Sequence, residues 1–405
     1  MGPNGGPGKG NIQMRTGKKG TVRVAMALGA LGMVAAACGS GSSSSTTTSG
    51  GSATTAASGG NVAAAQSLIN QYTGDPAFVS PGPSFDATKL AGKTIFSIPA
   101  NSAVPFVNTV DQVMGQYAKK LGINYVDYTN QQQQSQWVQG MNQAISQKAN
   151  VIDLLAGIPP EMLAPQVQAA KAAGIPTVDT NERDPSQPTD PNVAAYTFAP
   201  FKLAGELMAA WAVAQTQGKA DVLVVTSNAD VSSQAVQNGV NQEMAKVCPS
   251  CKISAVNVNP VDWATKLQTT VEGSLAGDPG INYILPVFDS MALFIAPAIT
   301  AANKVGQVHV ASFNGTPAII DMIRTGNIVS MDVGENTSAV AAAGLDQAMR
   351  IMAGMQPGNE QIIPRIVDKS NVTDFGVPAA SGQGYGNAFL QGYASTWKVP
   401  VSTLQ

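Results

Sequence analysis

The sequence predicts an α/β protein built from two doubly wound parallel-sheet lobes joined by a three-strand hinge. Three observations carry that prediction. From residue 92 onward, short β-rich runs alternate with stretches of helical period. The runs are almost continuously apolar, as strands buried on both faces must be. The stretch after residue 61, about 340 residues, is too long for one ordinary core.

The β-rich runs come in order as TIFSIP (94–99), INYVDY (123–128), VIDLLAG (151–157), TVDT (177–180) and DVLVVTS (221–227). ISAVNVN (253–259), NYILPVF (282–288), VHVASF (308–313) and IVSMDV (328–333) follow. Between them, Val110, Val113, Met114, Tyr117, Ala118 and Leu121 share one helical face. Leu203, Leu207, Ala210, Trp211 and Ala214 share another, as do Val236, Val240, Met244 and Val247. In open parallel sheets, ligands bind beyond the carboxyl ends of the strands. The loops there include PANSAVPF (99–106), DTNERD (179–184), TSNADVSS (226–233), NPVDW (259–263), PVFDSMA (286–292) and SFNGTP (312–317). They are rich in Asn, Asp, Ser and aromatic residues and poor in catalytic combinations.

Residues 1–37 read as a signal peptide. Arg15, Lys18, Lys19 and Arg23 precede an apolar run from Val24 to Ala37. That run is about 14 residues, short of the roughly 20 a membrane-spanning helix needs. Small residues then lead to Cys38, with Ala35 three positions before it. This resembles the lipobox of bacterial lipoproteins, which implies a lipid-carrying Cys38 and an extracytoplasmic domain held at the cell membrane. Residues 38–61 are a Ser/Thr/Gly linker with almost nothing to bury, a tether of roughly 25 Å end to end.

Net charge is −2, without a basic stripe, so nucleic acid is not expected as a partner. Cys248 and Cys251 in CPSC are expected to form a local disulfide closing a helix end. The single histidine, His309, lies inside an apolar strand and reads as a packed residue. Histidine-based metal sites are excluded by count, the one histidine is taken up as a strand residue rather than a triad member, and no cofactor is expected. GPGKG near the start lacks the Ser or Thr of a phosphate loop, and GQGYG (382–386) does not sit between a strand and a helix.

At the strand-end loops the chain resembles the type I periplasmic solute-binding proteins of ABC importers, the ribose-binding-protein-like group. The resemblance runs from about residue 92 to about 370. It rests on Val104-Pro105-Phe106, LGINYVDY, GIPTVDTN, LAGELMAA, FDSMALFIAPAI and SFNGTPAIIDMIRTGNIVSMDV, in the family's order. It implies a monomeric clamp that closes on a small polar ligand, with crossovers near Ala199, Gly334 and Ile366. The lobes would comprise 92–199 plus 335–365, and 200–334 plus 366–405.

Carried over residue by residue, the resemblance puts aromatic groups at Phe106 and Trp263. Asn314 takes the place of an Asp, and Asn181 that of the Asp after the Ile-Pro strand. Glu182 and Asn238 stand where ribose binders have Arg, Phe288 where they have Asn, and Val333 where they have Gln. Asn101, Asp289 and Asp332 are nearby polar candidates that could equally serve as turn or cap residues. Such groups suit a neutral, hydroxyl-rich ligand, and the departures argue against ribose itself. The expected function is delivery of a small sugar or polyol to an ABC permease. The alternatives are a receptor for a sugar-like signalling molecule, with a cationic ligand near Glu182 also open, and a carbohydrate-active enzyme.

Overall fold

The computed structural model describes residues 60–405. The expected leader, Cys38 and the linker up to residue 59 lie outside the described residues. Asn61, at the edge of the expected linker, already belongs to the folded domain. Its side chain accepts from Ala64 N at 3.1 Å and caps α1 (Val62–Asn70).

In the first lobe, β1 (Thr94–Pro99), α2 (Pro105–Lys120), β2 (Asn124–Asp127), α3 (Gln134–Ser146) and β3 (Val151–Leu155) alternate. They continue into α4 (Ala164–Ala172), β4 (Thr177–Thr180) and β5 (Ala195–Thr197). The strands form one parallel sheet in the order β2-β1-β3-β4-β5.

The second lobe begins with α5 (Phe201–Gln215), β6 (Asp221–Thr226), α6 (Val231–Val247) and β7 (Lys252–Asn257). It continues with α7 (Gln268–Gly277), β8 (Tyr283–Pro286), α8 (Asp289–Ala301), β9 (His309–Asn314), α9 (Pro317–Thr325) and β10 (Val329–Gly334). The chain then returns to the first lobe as α10 (Thr337–Met352) and comes back as β11 (Arg365–Asp368). The second sheet runs β11-β10-β9-β8-β6-β7, parallel except for β11. Crossings therefore fall at residues 198–200, 335–336 and 353–364.

Both sheets are sandwiched because their central strands are mostly apolar. β3, β6 and β8 are buried at every residue. The edge strand β7 departs from the expectation of burial on both faces. Five of its six residues are exposed, and among the described residues no strand pairs beyond it. In the second lobe, α5 and α6 approach backbone to backbone. A methyl group on Gly239 would sit 2.0 Å from the Lys202 carbonyl oxygen, and one on Gly205 equally close to that of Val236. Cys248 and Cys251 form a disulfide at the end of α6. Among the described residues, no helix is long and apolar enough to cross a membrane.

One expected boundary needs correction. Residues 366–405 do not all belong to the second lobe: β11 does, but α11 (Ala388–Trp397) packs in the core of the first. Trp397 is fully buried there, and its Nε1 donates to Asp346 on α10 at 2.7 Å. The amino-terminal segment also spans the lobes. Ala65 and Ile69 on α1 join the second core, whereas Phe85 and Leu90 join the first.

Candidate functional site

The carboxyl ends of both sheets face a common cleft, the place where open parallel sheets bind ligands. Asn101, Val104 and Phe106 line it from the end of β1, Gln132 from beyond β2, Gly157 from beyond β3 and Asn181 from β4. The second lobe contributes Phe201, Asp230 and Ser232 around the starts of α5 and α6. Pro260 and Trp263 follow β7, Phe288 and Ser290 follow β8, and Asn314 ends β9.

Local chemistry positions each group. Pro105 at the first turn of α2 fixes the chain direction that turns Phe106 inward. Asn101 Oδ1 accepts from Ala103 N at 2.9 Å, a turn that leaves Nδ2 for Gln132 Oε1 at 3.3 Å. Trp263 is half-buried and opens a π-helical turn. Its Nε1 donates to Val258 O at 2.9 Å, so the indole N–H is satisfied within the loop while the residue lines the cleft. The Phe288 ring lies 6.3 Å away, centroid to centroid. Asn181 and Asn314 both hold positive φ, 61° and 136°, which side-chain-bearing residues rarely adopt and which clusters at binding sites.

Five of the nine sequence candidates thus share the cleft wall: Asn101, Phe106, Asn181, Trp263 and Asn314. The other four do not line it. Asn238 is exposed on α6; its neighbour Gly239 faces α5, and one helical step turns Asn238 outward. Asp289 is occupied as a brace. It accepts from Ser312 Oγ at 2.6 Å and from both Thr316 N and Oγ1 at 2.7 Å, pinning the 312–317 loop. Asp332 accepts from Gly315 N at 2.9 Å, and burial, then the neighbouring Asp289, pushes its carboxyl well above the usual range. Glu182 is fully buried behind Gly157, with neither carboxyl oxygen hydrogen-bonded. Burial, reinforced by Asp179 and Asp230, raises it strongly.

Sequence reasoning missed Gln132, Asp230, Ser232 and Ser290. The last three lie in strand-end loops, where position alone was the available signal. Gln132 sits in a run of four glutamines and carried none. Val333, read as the counterpart of a ligand-binding Gln, is buried in the core of the second lobe.

Two α/β lobes facing each other across an aromatic, hydrogen-bonding cleft define a two-lobed binding clamp. The chain belongs to the periplasmic binding protein domain family, whose model matches residues 95–356. It is 24% identical over 201 residues to the D-ribose/D-allose-binding protein of Pseudomonas aeruginosa, covering 49% of this chain and 62% of that one. It is 28% identical over 127 residues to the D-allose-binding periplasmic protein of Escherichia coli K12, covering 31% and 40%. The chain thus matches less than two thirds of either relative's length. Among solved structures, it resembles an ABC transporter periplasmic solute-binding protein from Actinobacillus succinogenes with bound D-allose. That likeness has a TM-score of 0.61 and 20% identity over 70% of this chain and all of the other. A solute-binding protein from Bacillus halodurans with bound myo-inositol gives a TM-score of 0.63 and 17% identity over 71% and 98%. These likenesses establish the fold.

Proposed function

We propose that this protein is an extracytoplasmic receptor, tethered to the membrane by lipid on Cys38, that closes on a small sugar or polyol and hands it unchanged to an ABC permease. The observation that carries the reading is the convergence of Phe106 and Trp263 with Asn101, Asn181 and Asn314 on one interlobe cleft. Aromatic faces suit the apolar C–H side of a carbohydrate, and the amides offer both donors and acceptors to its hydroxyls. Relatives whose names specify ribose or allose, and fold neighbours holding allose or inositol, support the same ligand class. No change to the bound molecule is part of the proposal, and one chain suffices, since both walls come from it.

A thermal-shift screen against pentoses, hexoses, polyols, amino acids and nucleosides tests this. A ligand binding only the native state raises the melting temperature with concentration, by about 2.7 kcal/mol of stabilisation at a hundredfold excess over its Kd. At least one carbohydrate or polyol is expected to do so. Stabilisation by amino acids or nucleosides alone would overturn the ligand class.

A further inference from the structure

The charge on the cleft wall is one-sided. Asp230 lines the cleft, and its one side-chain partner is Ser227, whose Oγ donates to Oδ2 at 2.5 Å. Oδ1 has no protein donor among the described residues. Across the cleft, Glu182 is fully buried and neither oxygen has a partner. Its Oε2 lies 3.8 Å from the point where a Gly157 side chain would begin, and Gly157 lines the cleft with φ of 117°. No Lys or Arg lines the cleft among the described residues. Arg183, next to Glu182 in sequence, donates instead to Glu161 and to Pro188 O.

A buried carboxylate without a countercharge costs several kcal/mol. A ligand hydroxyl can hydrogen-bond to such a group but leaves its charge uncompensated; an ammonium does both. The cleft also presents four aromatic rings, Phe106, Phe201, Trp263 and Phe288, and a cation within about 6 Å of a ring centroid gains from the ring face. Resting on the carbohydrate reading of the cleft, we infer that the ligand is a hydroxylated molecule bearing a protonated amine, an amino sugar or amino polyol. Asp230 takes the ammonium, the rings take the carbon skeleton, and the cleft asparagines take the hydroxyls.

Burial holds the Asp230 carboxyl at about 6. It is ionised above that pH, and an amine bound to the ionised form is released as pH falls through it. The titratable group opposite Asp230 is Glu182, itself surrounded by Asp179, Arg183 and Glu161. Burial pushes Glu182 and Asp179 well above the usual carboxylate range.

The test is calorimetric titration of the full chain with matched pairs: D-glucose and D-glucosamine, D-galactose and D-galactosamine, sorbitol and 1-amino-1-deoxysorbitol. N-acetylglucosamine is the uncharged control for size. The amino member of at least one pair is expected to bind at least tenfold tighter at pH 7.5. That preference should shrink at least fivefold at pH 5, and should fall to within about threefold in Asp230→Asn. Equal or tighter binding of every neutral member overturns the inference and leaves the carbohydrate reading standing. Failure of every member to bind overturns the inference, and the wider thermal-shift screen then decides the carbohydrate reading separately. An amino preference that survives Asp230→Asn, or is unchanged at pH 5, removes Asp230 from the role and with it the inference. The pH arm uses the unaltered chain, so it decides even if the variant does not fold.

Discussion

Asn181 Nδ2 donates to Glu335 Oε1 at 3.3 Å, joining a cleft residue of the first lobe to the segment that crosses back from the second. The Glu335 backbone N–H also donates to Asn314 O at 3.3 Å. One buried crossover residue therefore holds the two cleft asparagines of opposite lobes, both at positive φ.

Burial raises the Glu335 carboxyl to about 8, with the Asn181 and Asn314 hydrogen bonds opposing. The sign follows directly. Between the ordinary value of 4.5 and about 8, the folded state binds more protons than the unfolded state, so this group lowers stability as pH rises across that window. Glu335→Gln keeps the acceptor for Asn181 and removes the ionisation. The variant should match the wild type near pH 5 and gain on the order of a few kcal/mol by pH 9. Thermal melts of both proteins over that range check it, and parallel curves would remove Glu335 from this role.

Gly239→Ala tests the close approach of α5 and α6. With backbone oxygen 2.0 Å from the new methyl group, the helices must separate, at a cost on the order of 3 kcal/mol. Asn238→Ala, one residue earlier and exposed, should change stability by less than about 0.5 kcal/mol and leave ligand affinity unaltered. Denaturant unfolding and ligand titration separate the two outcomes.

Trp397→Ala tests the assignment of the carboxyl-terminal helix to the first lobe. It empties a fully buried indole site and strips Asp346 of a 2.7 Å donor. A loss of about 3–5 kcal/mol is expected. A loss under about 1 kcal/mol would mean that α11 is not part of that core.

The lobes were legible because long apolar runs such as DVLVVTS can be neither edge nor loop. β5 and β11 were not, since AYT is three residues and RIVD carries a charge at each end. Phe106, Asn181, Trp263 and Asn314 could be found because the family resemblance carried them onto strand-end loops, where parallel sheets place ligands. Asp289 opens α8 and Asp332 lies in β10, close to the same strand ends, but both are buried and spent on loop backbone and hydroxyl groups. Sequence position does not say whether a carboxylate turns to the cleft or braces the loop that forms it. Asn238 was read through Gly239, a glycine whose work is helix packing. The tail was expected in the second lobe and its helix joins the first, because an apolar helix face fits either core.

The most direct measurement is a titration of whichever carbohydrate stabilises the wild type into Trp263→Ala. The indole face lines the cleft while its Nε1 is satisfied by Val258 O, so truncation should remove ligand contact and leave the fold intact. A drop in affinity of at least a hundredfold, with far-ultraviolet circular dichroism unchanged, is the predicted result. An affinity within about threefold of the wild type would place the ligand elsewhere and contradict the cleft as the binding site.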